Sequence, residues 1–153
     1  MAFPKSRPDY TYDALLALKD AGLLAASAAW QVASANRILD IGTGYFRGDC
    51  VIDVTAIEIA TGDERYTMVI QGSTSPTFAS GIANLAELTI GDGSAIGTAQ
   101  GTSGVDVDDT TGRYVLPFTN ERNGVYYPYI RGRVFIAGTI ATGINFQAWI
   151  STH

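Results

Sequence analysis

Apolar residues along most of this chain recur at every second position, in short runs broken by glycine and proline, and no other feature constrains the fold as much. Residues i, i+2 and i+4 of an extended chain line one face, so an alternating run buries one side and leaves the other to solvent. Over 50–59 the alternation places Cys50, Ile52, Val54 and Ala56 on one face and Asp53, Thr55 and Ile57 on the other. Tyr66, Met68 and Ile70 share a face in 66–71, Leu88 and Ile90 in 85–90, and Ile144, Phe146, Ala148 and Ile150 in 144–150. Strands over 37–41, 113–118 and 125–137 complete the clear set, and Pro128 inside the last marks an edge or a bulge. A turn at 61–63 predicts that 50–59 and 66–71 pair as a hairpin. Residues 91–112 are rich in Gly, Thr, Ser and Asp and read as a long loop with at most one weak strand. The fold class expected is all-β, a jelly-roll-like two-sheet β-sandwich.

Residues 1–35 lack this alternation and read as an extended N-terminal arm, with 36–153 as the sandwich domain. Pro4, Lys5, Arg7 and Pro8 stand where a secretory signal would have its apolar stretch, so the first residues read as an arm and not a signal. Asp13 can cap a run from Ala14 to Leu18 that stops at Gly22, which predicts one short helix. A helix that short is marginal alone. It therefore needs Leu15 and Leu18 to pack on something, and a second subunit is the expected something, with 3–24 ordered only through contacts outside its own sandwich. Residues 23–32 suit a helix by their alanines and a strand by Trp30 and Val32.

The 153 residues carry a formal charge of −5, so the sequence-independent attraction to phosphate that drives nucleic-acid binding is missing. The same acidity opposes docking on anionic lipid, and no apolar run approaches the roughly 20 residues that span a bilayer. Cys50 is the single cysteine, which excludes an intrachain disulfide and a cysteine-based zinc site and agrees with synthesis in a reducing cytoplasm. The single histidine is His153, the last residue, which leaves serine or cysteine nucleophiles without a placed base and histidine metal sites without ligands.

Other chemical patterns fail on spacing. Asp106, Asp108 and Asp109 lack the glycine and distal acid of a calcium loop and read as a solvated acidic loop. Gly42, Gly44 and Gly48 precede a strand, whereas a phosphate cradle needs a helix N-terminus. Asp53 and Glu58 fall on opposite strand faces, so they make no glycosidase pair. Arg47, Gly48 and Asp49 spell an adhesion tripeptide but read as a turn and a strand entry. The expectation is a non-enzyme with no catalytic residues, no cofactor and no metal.

Tyr126, Tyr127, Pro128 and Tyr129 precede Arg131 and Arg133, and alternation puts Tyr127, Tyr129, Arg131, Arg133 and Phe135 on one face. Tyr and Arg are enriched at interface hot spots, and the same pattern also fits an ordinary outer sheet face decorated with cation–π pairs. Tyr127, Tyr129 and Arg131 are the candidate interface residues of the sandwich, beside Leu15 and Leu18 of the arm. Only 16% of the residues are charged, against about 25% in a typical domain. A homo-oligomer is therefore expected, held by apolar and backbone contacts with little salt dependence.

Four segments carry a resemblance: TYDALLALKDAGLLAASAAWQV at 11–32, VTAIEIAT at 54–61, YTMVIQGSTSPTFASG at 66–81, and the closing stretch 129–150. In their order and wording the chain resembles the cement, or decoration, proteins of certain short-tailed double-stranded DNA bacteriophages. The resemblance implies a jelly-roll or related sandwich that forms a homo-oligomer, a dimer, on the outside of an icosahedral head built of major capsid protein. It implies a virion protein made in the bacterial host cytoplasm, with no catalytic residues. The competing expectation is a carbohydrate-binding or receptor-contacting jelly-roll module, with Trp149 and the tyrosines exposed for stacking on sugars.

Overall fold

The computed structural model describes residues 12–92 and 109–152. In chain order the strands are β1 (Ala17–Lys19), β2 (Leu23–Leu24), β3 (Ala28–Ala29), β4 (Gln31–Val32), β5 (Ala35–Asn36), β6 (Leu39–Asp40) and β7 (Arg47–Ile57). Then follow β8 (Arg65–Ser73), β9 (Ile82–Gly91), β10 (Gly112–Thr119), β11 (Glu121–Arg122), β12 (Val125–Tyr126), β13 (Tyr129–Ala137) and β14 (Ile144–Ser151). All pairing is antiparallel.

The chain is an antiparallel ribbon doubled back on itself. Its turning point is the β8·β9 pair, and moving outward β7 joins β10, β3 joins β13 and β1 joins β14. Alternate pairs go to two sheets: sheet A runs β1-β14-β7-β10 with β2 also on β14, and sheet B runs β3-β13-β8-β9 with β6 also on β13. This is the two-sheet all-β sandwich that the alternation predicts.

One expected pairing is overturned. Strands β7 and β8 do not form a hairpin: β7 lies inside sheet A between β14 and β10, and β8 lies inside sheet B between β13 and β9. Residues 58–64 are the corner between sheets. A Gly/Asp turn serves a hairpin and a corner equally well, and the choice fell to long-range partners that a local reading does not see.

The two inner faces interleave as the alternation requires, except at the end of β7, where the register shift opposite Asn145 and Phe146 breaks the period, so that Ala56 is exposed and Ile57 packs on the core. Cys50, Ile52 and Val54 of β7 and Ile144, Phe146, Ala148 and Ile150 of β14 meet Tyr66, Met68 and Ile70 of β8 and Ile130 and Val134 of β13, all sealed from solvent. Between Ile130 and Val134, Gly132 leaves a gap in the face, and the wholly buried indole of Trp30 fills it. Any Cβ at residue 132 would fall within that ring. The Trp30 ring meets Phe146 edge to face at 5.2 Å, and the Trp30 backbone N–H donates to Gly132 O at 2.9 Å.

The predicted helix is replaced by strand. Asp13 caps as expected, its Oδ1 accepting from Leu15 N at 2.9 Å, yet what it caps is a single 3-10 turn, Ala14–Leu16, and Ala17 is already extended. Leu18 is fully buried in the sandwich core, so its packing partner is its own domain and it offers no surface to a second subunit. The edge of β14 supplies ladder hydrogen bonds and an apolar site together, whereas a short free helix supplies neither. Residues 12–24 are thus held by the sandwich itself, contrary to the expected dependence on outside contacts. The ambiguous 23–32 stretch becomes β2, β3 and β4. Residues 1–11, 93–108 and His153, which include most of the predicted arm tip, most of the long loop, Asp106 and Asp108, lie outside the described residues.

The predicted strand 125–137 is broken at Pro128 into β12 and β13, and Pro128 O accepts instead from Ile41 N at 2.9 Å. The sandwich consequently has two unlike ends. One carries the corners 58–64 and 138–143, and the other carries loops 41–46 and 74–81 with the β11·β12 hairpin.

Candidate interaction surfaces

At the corner end, carboxylates consume backbone donors. Glu58 accepts from the N–H groups of Ala141, Thr142 and Gly143, the last two at 2.7 Å. Asp63 accepts from Thr139 N and Oγ1 at 2.9 and 2.8 Å. Glu64 accepts from Thr61 Oγ1, from Thr61 N at 2.7 Å, and from the N–H groups of Gly62 and Asp63. Hydrogen bonds led by Gly143 N hold Glu58 below its usual range, and those led by Thr139 N do the same for Asp63. Burial pulls Glu64 upward, but the donors of Thr61 and the turn outweigh it and bring the carboxyl down to about 2. Gly138 and Gly143, both at positive φ, press their Cα against the backbone of Asp63 and Leu24, where a Cβ has no room. The corner satisfies its own polar groups.

At the hairpin end one buried side chain is the hub. Asn120 is fully buried; its Oδ1 accepts from Phe46 N at 2.7 Å and its Nδ2 donates to Gly44 O at 2.8 Å. Its backbone exchanges hydrogen bonds with Phe46 and Tyr127. Loop 41–46 and the β11·β12 hairpin are thereby one unit, and they present Tyr45 against Tyr126 edge to face at 6.5 Å. Tyr45, Tyr126, Val125 and Ile82 are all exposed here. Arg122 Nη1 donates to Asn84 O at 2.7 Å across the space between hairpin and β9, with clefts of about 570 Å³ and 480 Å³ on its two sides.

The outer face of sheet B carries the predicted Tyr129, Arg131, Arg133 and Phe135, alternating with the buried Ile130, Gly132 and Val134. Tyr127 leaves this row. The break at Pro128 turns it inward, where its Cβ would stand 2.6 Å from a Cβ on Gly72, beside Leu85. Arg131 lies over the ring of Phe78 at 4.3 Å and Arg133 over Phe135 at 5.1 Å. Phe78 had no signal in the sequence, since it belongs to loop 74–81 and reaches this face only because that loop folds back. Leu15 is 77% exposed on the 3-10 turn, far from the sheet B row in the chain and on a different element.

The residues with chemical potential are engaged or enclosed. Burial pushes the Lys19 ammonium down to about 8 against the opposing charge of Asp20, yet all its protons are directed at carbonyls, of Asp20, Gly22 and Phe146, at 2.8 to 2.9 Å. Burial, with Asp49 beside it, pushes the Cys50 thiol far up, away from thiolate chemistry. Arg47, Gly48 and Asp49 lie within β7, paired with β10. Asp53 is taken by Arg113 in a two-pronged ion pair at 2.7 and 2.8 Å. Trp149, expected to be exposed for stacking on sugar, is 4% exposed, because Tyr12 abuts its ring and Arg113 lies over it. Among the described residues no group of three His, Cys, Asp or Glu side chains is placed to hold a metal ion, and no helix is long and apolar enough to cross a membrane. No protein-family model matches the chain, and no curated protein matches it.

Proposed function

We propose that this chain is a structural protein of a bacteriophage particle, a cement protein that binds the outside of an icosahedral head and stabilises its shell of major capsid protein. The observation that carries the reading is the strand order. We read the sheets ordered β1-β14-β7-β10 and β3-β13-β8-β9, built from a ribbon folded about β8·β9, as a jelly roll, an architecture found in viral capsid and lectin domains. Fold alone does not choose among functions. The resemblance of segments 11–32, 54–61, 66–81 and 129–150 to phage cement proteins favours the shell, and the exposed rings at the hairpin end supply contact area. A protein that binds only the assembled shell stabilises it by mass action, with no chemistry required. In this reading the chain is a homo-oligomer, a dimer, synthesised in the host cytoplasm and carried on the head exterior.

The test is sedimentation with mature heads. The chain is expected to pellet with heads through repeated washing and to raise the temperature at which they rupture. Washed virions that lack it, or heads whose rupture is unchanged, would overturn the proposal. Light scattering is expected to report a dimer. A second reading, a carbohydrate- or receptor-contacting module, is favoured by the clefts on either side of Arg122, one lined by Asn84, Asn123 and Tyr127 and the other by Asn84, Glu87 and Glu121. Saturable binding on a glycan array, absent on heads, would select it.

A further inference from the structure

Arg131 and Arg133 form an unpaired cation site on a protein with an excess of acids. They stand two residues apart on β13, both on the outer face of sheet B, and among the described residues neither has a carboxylate within ion-pair distance. Arg131 uses only Nε, which donates to Gln71 Oε1 at 3.0 Å. Among the described residues the Arg133 side chain makes no hydrogen bond, and its Nε is shut off from solvent with no acceptor. Fifteen acids against ten Lys and Arg leave carboxylates to spare. Glu87 on β9, across β8 from Arg133 and level with it because both pair with Val69, turns instead to Asn84 Nδ2 at 2.9 Å.

The rest of the face holds the guanidinium groups in place. Glu87 orients Asn84, Asn84 Oδ1 accepts from Gln71 Nε2 at 3.0 Å, and Gln71 holds Arg131. Beneath Arg131 lies Phe78, 6% exposed and at φ +55, a left-handed conformation that a bulky residue adopts only under strain. That strain places a ring under a cation. Stacking leaves the outer edges of a planar guanidinium to bind a carboxylate through paired hydrogen bonds. Partial burial, and after it the like charge of Arg133, disfavour the Arg131 cation in the free protein, a cost an added anion offsets.

We propose that Arg131 and Arg133 receive two carboxylates of an extended acidic segment of a partner protein, with acids at alternate positions. Residues i and i+2 of a strand are separated by roughly 6.5–7 Å, so an extended partner laid along β13 brings its own i and i+2 side chains into the same spacing. Phe135 and Tyr129, the next residues of the row, flank the pair and suit apolar side chains at the partner's outer alternate positions. The inference rests on the cement reading for the partner's identity, the shell protein. It adds charge recognition to an interface whose affinity the composition alone assigned to apolar contacts.

The probe is a synthetic peptide Val-Thr-Glu-Thr-Glu-Thr-Val, titrated into the whole chain and followed by amide NMR. Shifts are expected to concentrate on 129–135 and Phe78, to vanish in Arg131→Gln/Arg133→Gln, to persist in Arg122→Gln, and to vanish when Gln replaces both Glu of the peptide. Retention of the double variant on washed heads should fall at least tenfold, with its melting temperature unchanged or raised, which separates lost binding from lost folding. Equal retention of the double variant, equal binding of the Gln peptide, or displacement of the peptide by a single-stranded oligonucleotide would overturn the inference. Wild-type chain that binds the peptide but not heads would leave the inference standing and remove the cement reading.

Discussion

The two ends of the sandwich are both built of connections between strands, yet one spends its polar side chains on its own backbone and the other leaves aromatic rings exposed. At the corner end Glu58, Asp63 and Glu64 accept the N–H groups of residues 61–63, 139 and 141–143, and glycines let backbone lie on backbone. At the hairpin end a single buried amide, Asn120, anchors two segments whose rings stay in water. A corner between sheets must turn the chain tightly while burying donors, so it spends side chains on itself. A hairpin standing clear of the sheets has no such demand and can offer side chains to something else.

The largest effect should separate the ends through glycine. Gly143 at φ +86 has the Leu24 carbonyl where a Cβ would go, whereas Gly124 at φ +79 has nothing within 4 Å. Gly143→Ala should destabilise by about 3 kcal/mol or more, and Gly124→Ala by about 1 kcal/mol, in urea unfolding. Equal costs would mean that close backbone packing is not what distinguishes the corner.

Acid should act on the same end. Carboxyls whose folded values lie below their unfolded ones contribute stability that is complete above the unfolded value and lost as pH falls through the folded one. With ordinary values of 4.5 for glutamate and 3.8 for aspartate, and Glu64 at about 2, the loss begins below about pH 4.5 and runs toward 2. Hydrogen exchange of 139–143 should accelerate in that window while that of Phe46 and Tyr127 does not. Uniform acceleration at both ends would erase the contrast.

Asn120→Ala removes the hub of the hairpin end and leaves buried backbone groups without partners, an expected cost of roughly 2 kcal/mol. Protease sensitivity should then appear in 41–46 and 120–128 and not in 58–64. The smallest effect on stability belongs to Tyr126→Ala, about 1 kcal/mol or less, because its ring is half exposed and meets only the ring of Tyr45 among the described residues. If that end meets the shell, the same variant should be washed from heads more readily. Unchanged retention would confine the contact to other surfaces.

Both ends were nearly silent in the sequence. Glu58 and Asp63 looked like ordinary charges, because the donors they cap are 76 to 85 residues away. Asn120 reads as a turn residue until Gly44 and Phe46 are brought beside it. The sheet B row was more legible: alternation put Tyr129, Arg131, Arg133 and Phe135 on one face, since a strand's side chains alternate whatever its neighbours are. It failed at Tyr127, where proline broke the strand and the period with it, and it had no means of finding Phe78.

What the sequence by itself determined was the all-β class, the inward sets Cys50, Ile52 and Val54, Tyr66, Met68 and Ile70, and Ile144 to Ile150, and the Asp13 cap, because period-2 burial and side chain to backbone capping are local properties of consecutive residues. Only the tertiary structure decided that 50–59 and 66–71 belong to different sheets, that Ala17–Lys19 is a strand, and that Leu18 and Trp30 are core. Each of these depends on an edge or a cavity built by residues far along the chain, the open side of β14 for Leu18 and the space over Gly132 for Trp30. Burial there outweighs the weak local preference of a short alanine- and leucine-rich stretch for helix.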